Sequence, residues 1–472
     1  MKSDLKKRTI RGEKMKKMII LFMVLFLGLQ NAPSQTSADA VRIRQNEIGF
    51  GARALAMGGN GVALANDYSA LYWNPAGLAS LKQGELFADF SHLQFGNQAI
   101  FAGSLSDVDE NFTRLRSLGM AVPLPTTRGS FVLAFGYNFV RDFDEYLYFN
   151  GVNPLSNGLE FELEDANGNY QWYPFDKDVK QTEELTDEGG LHQWSFGTAI
   201  AMSPNFDLGI SANFWRGKDN YNFMFFQQDD ANRYSTFPGD FESYTVRQNL
   251  ITDFSAFNLK LGGMFKLNRA MRLGIAVEFP TTFTVTENYS SSDELVFDDG
   301  YVDAVEDEPG EWQYQVKTPY RLDAGIGVNS GLLKLTAAAT YQDWSQTRFV
   351  KPEHASLDED YGSLLEENRF IRQDYRETLN YHLGGELALP GSNMYLRGGY
   401  AVYPSPLKDA DSDMDKKYYS GGVGFKISPN VRLDATFLRG NWSRQSEDSY
   451  TPGGTLEEIT ENRVFLGIKY NF

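Results

Sequence analysis

Apolar and polar residues alternate one by one over long stretches of this chain. In 130–140, Phe131, Leu133, Phe135, Tyr137 and Phe139 share one face; Val132, Ala134, Gly136 and Asn138 share the other. Side chains alternate across a strand, so the segment has one greasy face and one small or polar face. The pattern returns at 206–214, 257–266, 272–279, 320–328, 379–389, 419–427, 431–437 and 464–472.

A soluble sandwich also alternates, but three features favour a membrane barrel. The polar face carries full charges beside glycines, as a wet lumen accepts. Tight turns at 203–205, 268–270, 329–331, 390–393 and 428–430 alternate with long polar loops near 141–190, 217–252, 285–315, 345–375 and 443–460. Short periplasmic turns and long outer loops are the outer-membrane arrangement. The chain also ends on an alternating strand whose last residue is Phe472. A terminal aromatic there resembles the signal read by the barrel assembly machinery.

Counting back from Phe472 predicts fourteen strands, near 461–472, 431–442, 417–428, 394–403, 376–389, 332–344, 316–328, 271–284, 253–267, 205–216, 191–203, 129–141, 115–124 and 85–95. Single-chain bacterial barrels have even strand counts, so 97–106 is placed in the first outer loop. The expected fold is all-β: a transmembrane antiparallel β-barrel, 84–472, preceded by a segment that is not strand-like.

The first 40 residues differ from the rest: eight basic residues face three acidic ones. Lys16-Lys17 precedes a run of twelve apolar or small residues at 18–29, too short for a helical span, and Ala38-Asp39-Ala40 follows. This reads as a cleaved export signal, 1–40, with a mature start near Val41. Met1 and Met15 both give a complete signal, so the start is left open.

Composition sharpens the picture. The chain has 472 residues, no cysteine, a net charge of −18 and 14% aromatic residues. Zero cysteine removes disulfides and thiolate sites. The acidic balance argues against nucleic acid as a partner. No G-x-S-x-G or H-E-x-x-H occurs, so no enzyme is expected. The four histidines, His92, His192, His354 and His382, have no serine partner at a recognisable spacing. No cofactor or metal is implied. Asp409, Asp411, Asp413 and Asp415 fall at every second residue, but without the glycine and distal glutamate of an EF-hand they read as a solvated acidic tip.

Residues 41–83 are small and glycine-rich, with Gly51 to Gly61, the acidic Asp67 and Asn74-Pro75-Ala76. They resemble the N-terminal hatch of the FadL-like outer-membrane transporters of long-chain fatty acids and aromatic hydrocarbons. In the barrel, Leu273-Gly274-Ile275 before Glu278-Phe279-Pro280, and Lys317-Thr318-Pro319-Tyr320-Arg321 before Gly325, are similar to the family's strand signatures. The resemblance implies a fourteen-stranded barrel plugged by its N-terminus. It implies passive uptake of hydrophobic compounds at the outer loops and sideways exit near the third strand. It also implies outer-membrane lipid as surroundings and a monomer as the working unit. The words GARALAMGG and YWNPAGLA look more like a broader branch of the family, one member of which serves a protein secretion system as a surface shuttle component. A secretion role, or no transport role, is therefore the alternative.

The site residues follow from this frame. Gly58, Gly59, Asn74, Pro75 and Ala76 are expected to form the hatch, with Asn74-Pro75 as pivot. Tyr221, Phe223, Met224, Phe225 and Phe226 form an apolar cluster in the third outer loop, a candidate capture groove. Arg272, Arg321 and Arg397 face the lumen. They either meet a carboxylate head group or pair with Glu278, Asp323 and Glu386, and the paired reading is favoured. The third strand shows no kink, and Gly136 is named as the weak point for a lateral opening. Phe472 is the assembly signal.

Overall fold

A computed structural model describes residues 35–45, 47–59, 61–353 and 361–472. The expected export signal lies outside the described residues except for its last six. Among the described residues no helix is long and apolar enough to cross a membrane.

The wall begins with β1 (Glu85–Phe101), β2 (Ser104–Leu124), β3 (Phe131–Asp142) and β4 (Glu145–Asn153). A small outer hairpin, β5 (Glu160–Glu164) and β6 (Tyr170–Pro174), leads to β7 (Val179–Ser203), β8 (Phe206–Gln228) and β9 (Phe241–Lys266). Then come β10 (Met271–Glu278), β11 (Thr282–Phe297), β12 (Val302–Glu306), β13 (Gly310–Lys317) and β14 (Arg321–Asn329). The chain continues through β15 (Leu333–Asp343), β16 (Arg348–Val350), β17 (Glu377–Ala388), β18 (Met394–Tyr403), β19 (Lys416–Lys426), β20 (Val431–Ser446) and β21 (Thr455–Asn471). Four crossings are each built from more than one of these segments in succession: β3 with β4, β10 with β11, β12 with β13 and β14, and β15 with β16. With these joined, the wall has fourteen antiparallel crossings. It closes where β1 pairs with β21, Glu85 opposite Asn471 through Phe101 opposite Thr455. Closure leaves no unpaired edge at this seam, which lipid could not hydrogen-bond.

The alternation places the faces as the sequence reads. Along β8, Leu208, Ile210 and Phe214 are exposed on the outside, while Asp207, Ser211, Asn213 and Trp215 are buried inside. The strands overshoot the membrane. A bilayer needs roughly 9–11 tilted residues, yet β8 has 23 and β9 has 26. Much of the expected outer loops is therefore strand. Residues 97–106 form no loop either: they are the tip of the β1–β2 hairpin, turning at Ala102-Gly103.

Residues before β1 fill the lumen. They form three short helical turns, α1 (Ser37–Arg42), α2 (Ala52–Leu55) and α3 (Ala70–Trp73), then a 3-10 turn, Pro75–Ser80. One further helix, α4 (Gly362–Asp374), lies in an outer loop. The expected boundary after Ala40 falls inside α1. Thr36 and Asp39 cap that turn reciprocally, Ala40 and Val41 are buried, and Gln35 donates to Glu287 of the wall at 2.6 Å. Residues 35–40 thus also pack against the barrel.

Candidate functional site

The hatch meets the wall where two adjacent strands both carry glycine. Gly119 lies opposite Gly136, Gly209 opposite Gly262, Gly274 opposite Gly325, and Gly384 opposite Gly399. A Cβ at Gly209 would lie 2.3 Å from the Pro75 carbonyl carbon, and one at Gly262 would lie 2.1 Å from Asn74 Oδ1. Val62 sits in the Gly274–Gly325 seat, Met57-Gly58 in the Gly384–Gly399 seat, and the Tyr68 ring against Gly119 and Gly136. The wall is smooth there because backbone must touch backbone.

Asn74 is fully buried. Its Nδ2 donates to Val62 O at 2.9 Å and to Gly263 O at 3.1 Å, and its Oδ1 accepts from Ala76 N at 3.1 Å. One side chain thus ties three segments together, and Pro75 starts the turn that follows with its φ already fixed. In this structure Asn74-Pro75-Ala76 packs against β8 and β9. Gly58 and Gly59 turn the chain at φ +77° and +65°, and His382 Nδ1 donates to Gly58 O at 2.7 Å.

Ion pairs surround the hatch. Arg44 bonds Glu278 at 2.9 Å, and Arg321 bonds Glu47 and Asp323, both at 3.2 Å. Glu386 holds Arg53 at 2.9 Å and Arg397 at 2.8 Å. Arg321 and Arg397 are therefore committed within the wall and hatch, as the paired reading expects. Arg272 stands half-buried on β10, opposite Gly327 and Lys266, and does not reach Glu278. Asp67 on the hatch is buried, which by itself raises its pKa. Lys469 and Arg53 outweigh that and hold it below the usual carboxylate range.

Above the hatch the rules change. A cavity of about 640 Å³ opens between Arg42 of α1 and the loop 447–454. Leu147, Phe149, Leu185, Tyr221, Phe223 and Tyr450 give it apolar wall. The expected capture cluster is thereby relocated: it lies on β8 and not in a loop. Phe223 and Phe225 point inward and are buried, while Met224 and Phe226 sit half-buried on the other face. Phe225 stacks on Tyr450 at 4.9 Å, and Phe175 of the outer hairpin segment stacks on Phe241 at 5.1 Å. The apolar face of β8 has switched from outside to inside because the wall here is above lipid and covers a mouth.

Two cations of this cavity are saturated. Arg42 bonds Asp187 at 2.9 Å and also Asp219; Arg444 bonds Glu145 at 2.7 Å and Glu457 at 2.9 Å. Two neighbours are not. Among the described residues Arg141 makes no ion pair, its Nε is buried without a hydrogen-bond partner, and its guanidinium lies 5.0 Å from the Phe143 ring that Arg42 also faces at 5.4 Å. Lys416 Nζ lies 3.7 Å from the Trp442 ring and likewise forms no ion pair among the described residues. Arg141 is half-buried, and a guanidinium nitrogen shut off without an acceptor is costly, so an incoming anion would find a cation there with no carboxylate of its own among the described residues. Neither residue stands out in the sequence, because each is one charged position on an alternating strand.

Arg141 adjoins a break in the wall. β2 pairs with β3 only from Ser117 opposite Asn138 to Leu124 opposite Phe131. Beyond that point Ser104–Arg116 has β1 as its only ladder, while β4 pairs with β7. Both flanking strands carry a bulge at the parting. The β1–β2 register skips Arg116, and the β3–β7 register skips Val140. Side chains stitch the gap: Arg116 Nη2 donates to Asp142 at 2.7 Å and Arg114 Nε to Asp144 at 3.0 Å. The expected weak point, Gly136, is not at the break. It is paired on both sides, to Gly119 and to Ser195. At the parting each of the two strands carries one extra residue.

Asp409, Asp411 and Asp413 are exposed, and Asp415 caps Ser405 N at 2.9 Å. The terminal residue hooks back: Phe472 N donates to Gly84 O at 2.9 Å and Gly84 N to Phe472 O at 3.1 Å.

A closed fourteen-stranded barrel with an apolar outer band, long outer strands and an N-terminal plug is an outer-membrane transport barrel of a Gram-negative bacterium. The chain belongs to the outer membrane protein transport protein family (OMPP1/FadL/TodX), whose model matches residues 180–471, more than half of its length. Its fold is similar to that of the Pseudomonas putida toluene transporter TodX, with TM-score 0.58, 13% identity, and 90% of this chain and 99% of that one covered. It is also similar to a Pseudomonas aeruginosa FadL homologue, with TM-score 0.56, 14% identity, and 88% and 96% covered. The Ralstonia pickettii toluene transporter TbuX gives TM-score 0.52, 16% identity, and 90% and 99% covered. No curated protein matches the sequence.

Proposed function

We propose that the protein admits hydrophobic compounds bearing an anionic head group, long-chain fatty acids or similar lipophilic acids, and releases them sideways into the membrane between β2 and β4. Passive diffusion suffices. An acyl chain keeps contacts worth about 0.8 kcal/mol per CH₂ if it never enters bulk water. The observation that carries the reading is the unpaired Arg141 at the edge of a wall break, near a chamber with apolar side chains on one part of its wall and charged ones on the rest. Lys416 supplies the second cation. The head-group role thus passes from Arg321 and Arg397, which hold carboxylates already, to these two. The hatch is the floor that turns cargo toward the break, and Asn74-Pro75-Ala76 holds that floor in place. Phe472 ends the closing strand exposed, where assembly machinery can read it.

Deleting Val140 tests the exit. Without the bulge residue, β3 and β4 run in one register and the gap narrows. The expected outcome is loss of fatty-acid uptake into cells, with the barrel still folded by heat-modifiable gel mobility and still binding laurate. A folded deletion variant that transports like the parent sinks the lateral route.

A further inference from the structure

On the outer face of the wall, a groove of about 620 Å³ opens between β11, β13 and β16. Inward neighbours fix which side it is on. Phe283, Val316 and Phe349 are buried in the barrel core, so the alternate residues Thr282, Lys317 and Arg348 point out. Lys351, just past β16, completes the basic lining, and Glu353 is the one carboxylate among the described residues of the groove.

Its height on the barrel is set by the band below. Phe279 and Tyr320 are exposed aromatics 5.9 Å apart, and exposed Leu322, Ile326 and Ile275 continue downward. Aromatic girdles mark the membrane boundary. Lys317, the last residue of β13, lies three residues before Tyr320 across the short connection to β14, at most on the order of 10 Å of extended chain. That is head-group depth in the outer leaflet.

Charge makes the groove unusual. The chain is acidic overall, at −18, and the outward tip of β2 on another part of the wall shows exposed Asp107 and Asp109. Here Lys317 and Arg348 are direct cross-strand partners. Like charges directly opposite are destabilising. Neither cation has an ion-pair partner among the described residues, and Lys351 has only the Tyr361 ring, 5.3 Å from its Nζ. An anion set between Lys317 and Arg348 would turn that repulsion into two charge-assisted contacts, and arginine forks suit phosphate.

We propose that this groove binds the phosphate groups of one anionic glycolipid of the outer leaflet. The lipid's acyl chains lie against the exposed band below, and its phosphates reach Lys317, Arg348 and Lys351. The site faces away from the lumen, so it stands whatever the barrel transports.

The test uses the full chain in phosphatidylcholine nanodiscs with diphosphorylated lipid A as probe. Native mass spectrometry is expected to show one lipid A retained per barrel. The variant Lys317→Gln/Arg348→Gln/Lys351→Gln is expected to weaken that binding about tenfold or more. Lys218→Gln/Arg247→Gln, which removes outward cations elsewhere, leaves it unchanged. Lipid A raises the melting temperature of the parent and not that of the triple variant, whose closure is verified by heat-modifiable mobility. Equal binding by the triple variant, equal binding of dephosphorylated lipid A, or displacement of lipid A by millimolar inorganic phosphate each overturns the proposal.

Discussion

In the lower lumen, Asn74, Pro75 and Val62 press on paired glycines, and Arg44, Arg53, Arg321 and Arg397 each hold a carboxylate. In the upper lumen, the wall parts at two bulges, a cavity stays open, and Arg141 and Lys416 have no carboxylate of their own. The same alternating strands run through both levels. The difference is what they are asked to meet. Below, the partner is the protein's own backbone, always present, so the fit is close, although Arg397, Asp323 and Asp89 each keep a buried polar atom without a hydrogen bond. Above, on the proposed reading, the partner comes and goes.

That contrast can be broken from below. Replacing Gly209 and Gly262 together by Leu puts side chains where Pro75 and Asn74 now sit. Overpacking costs about 1–3 kcal/mol per site, and the hatch rather than the closed wall is the element able to give way. The expected outcome is ion conductance in planar bilayers where the parent is silent. A silent, folded double variant would show that the seats do not hold the plug.

The upper level gives the next effect. Arg141→Ala with Lys416→Ala is expected to weaken laurate binding about 10- to 100-fold, as loss of charged hydrogen bonds does, and to leave dodecanol binding unchanged. Calorimetry on the pure protein checks both ligands. Equal losses for acid and alcohol would point to damaged packing and not to a head-group site.

The smallest effect returns to the floor. Asn74→Ala removes the donor to Val62 O and Gly263 O, worth about 1 kcal/mol. The hatch should be cut faster by trypsin in the intact barrel while melting of the barrel hardly moves. Unchanged cleavage would leave the anchor role without support.

Much of this was legible in the alternation. The lipid-facing parity of β8, β10 and β14, the count of fourteen crossings and the short turns all follow from it. It failed where parity keeps its period but changes meaning. Leu208 and Ile210 are greasy toward lipid, whereas Phe223 and Phe225 are greasy toward the mouth, and a reading tuned to lipid takes the second pair for a loop. The break at Val140 was hidden for a related reason. Phe139 and Val140 are both apolar, so an inserted residue leaves no polar mark in the sequence. The glycine seats were visible one by one but read as wet lumen. Gly274 and Gly325 become a seat only when their strands pair, and strand neighbours are not a local property.

The hook between Phe472 and Gly84 has a kinetic consequence. Gly84 is the last residue before β1, where the plug joins the wall, and Phe472 is the last of the chain. The seam they close joins strands from opposite ends of the barrel sequence, the longest loop the polypeptide must shut. Such contacts form slowly, because chain entropy is lost before any gain. Sealing the cylinder and joining the end of the plug to it therefore happen at one seam, expected late in folding.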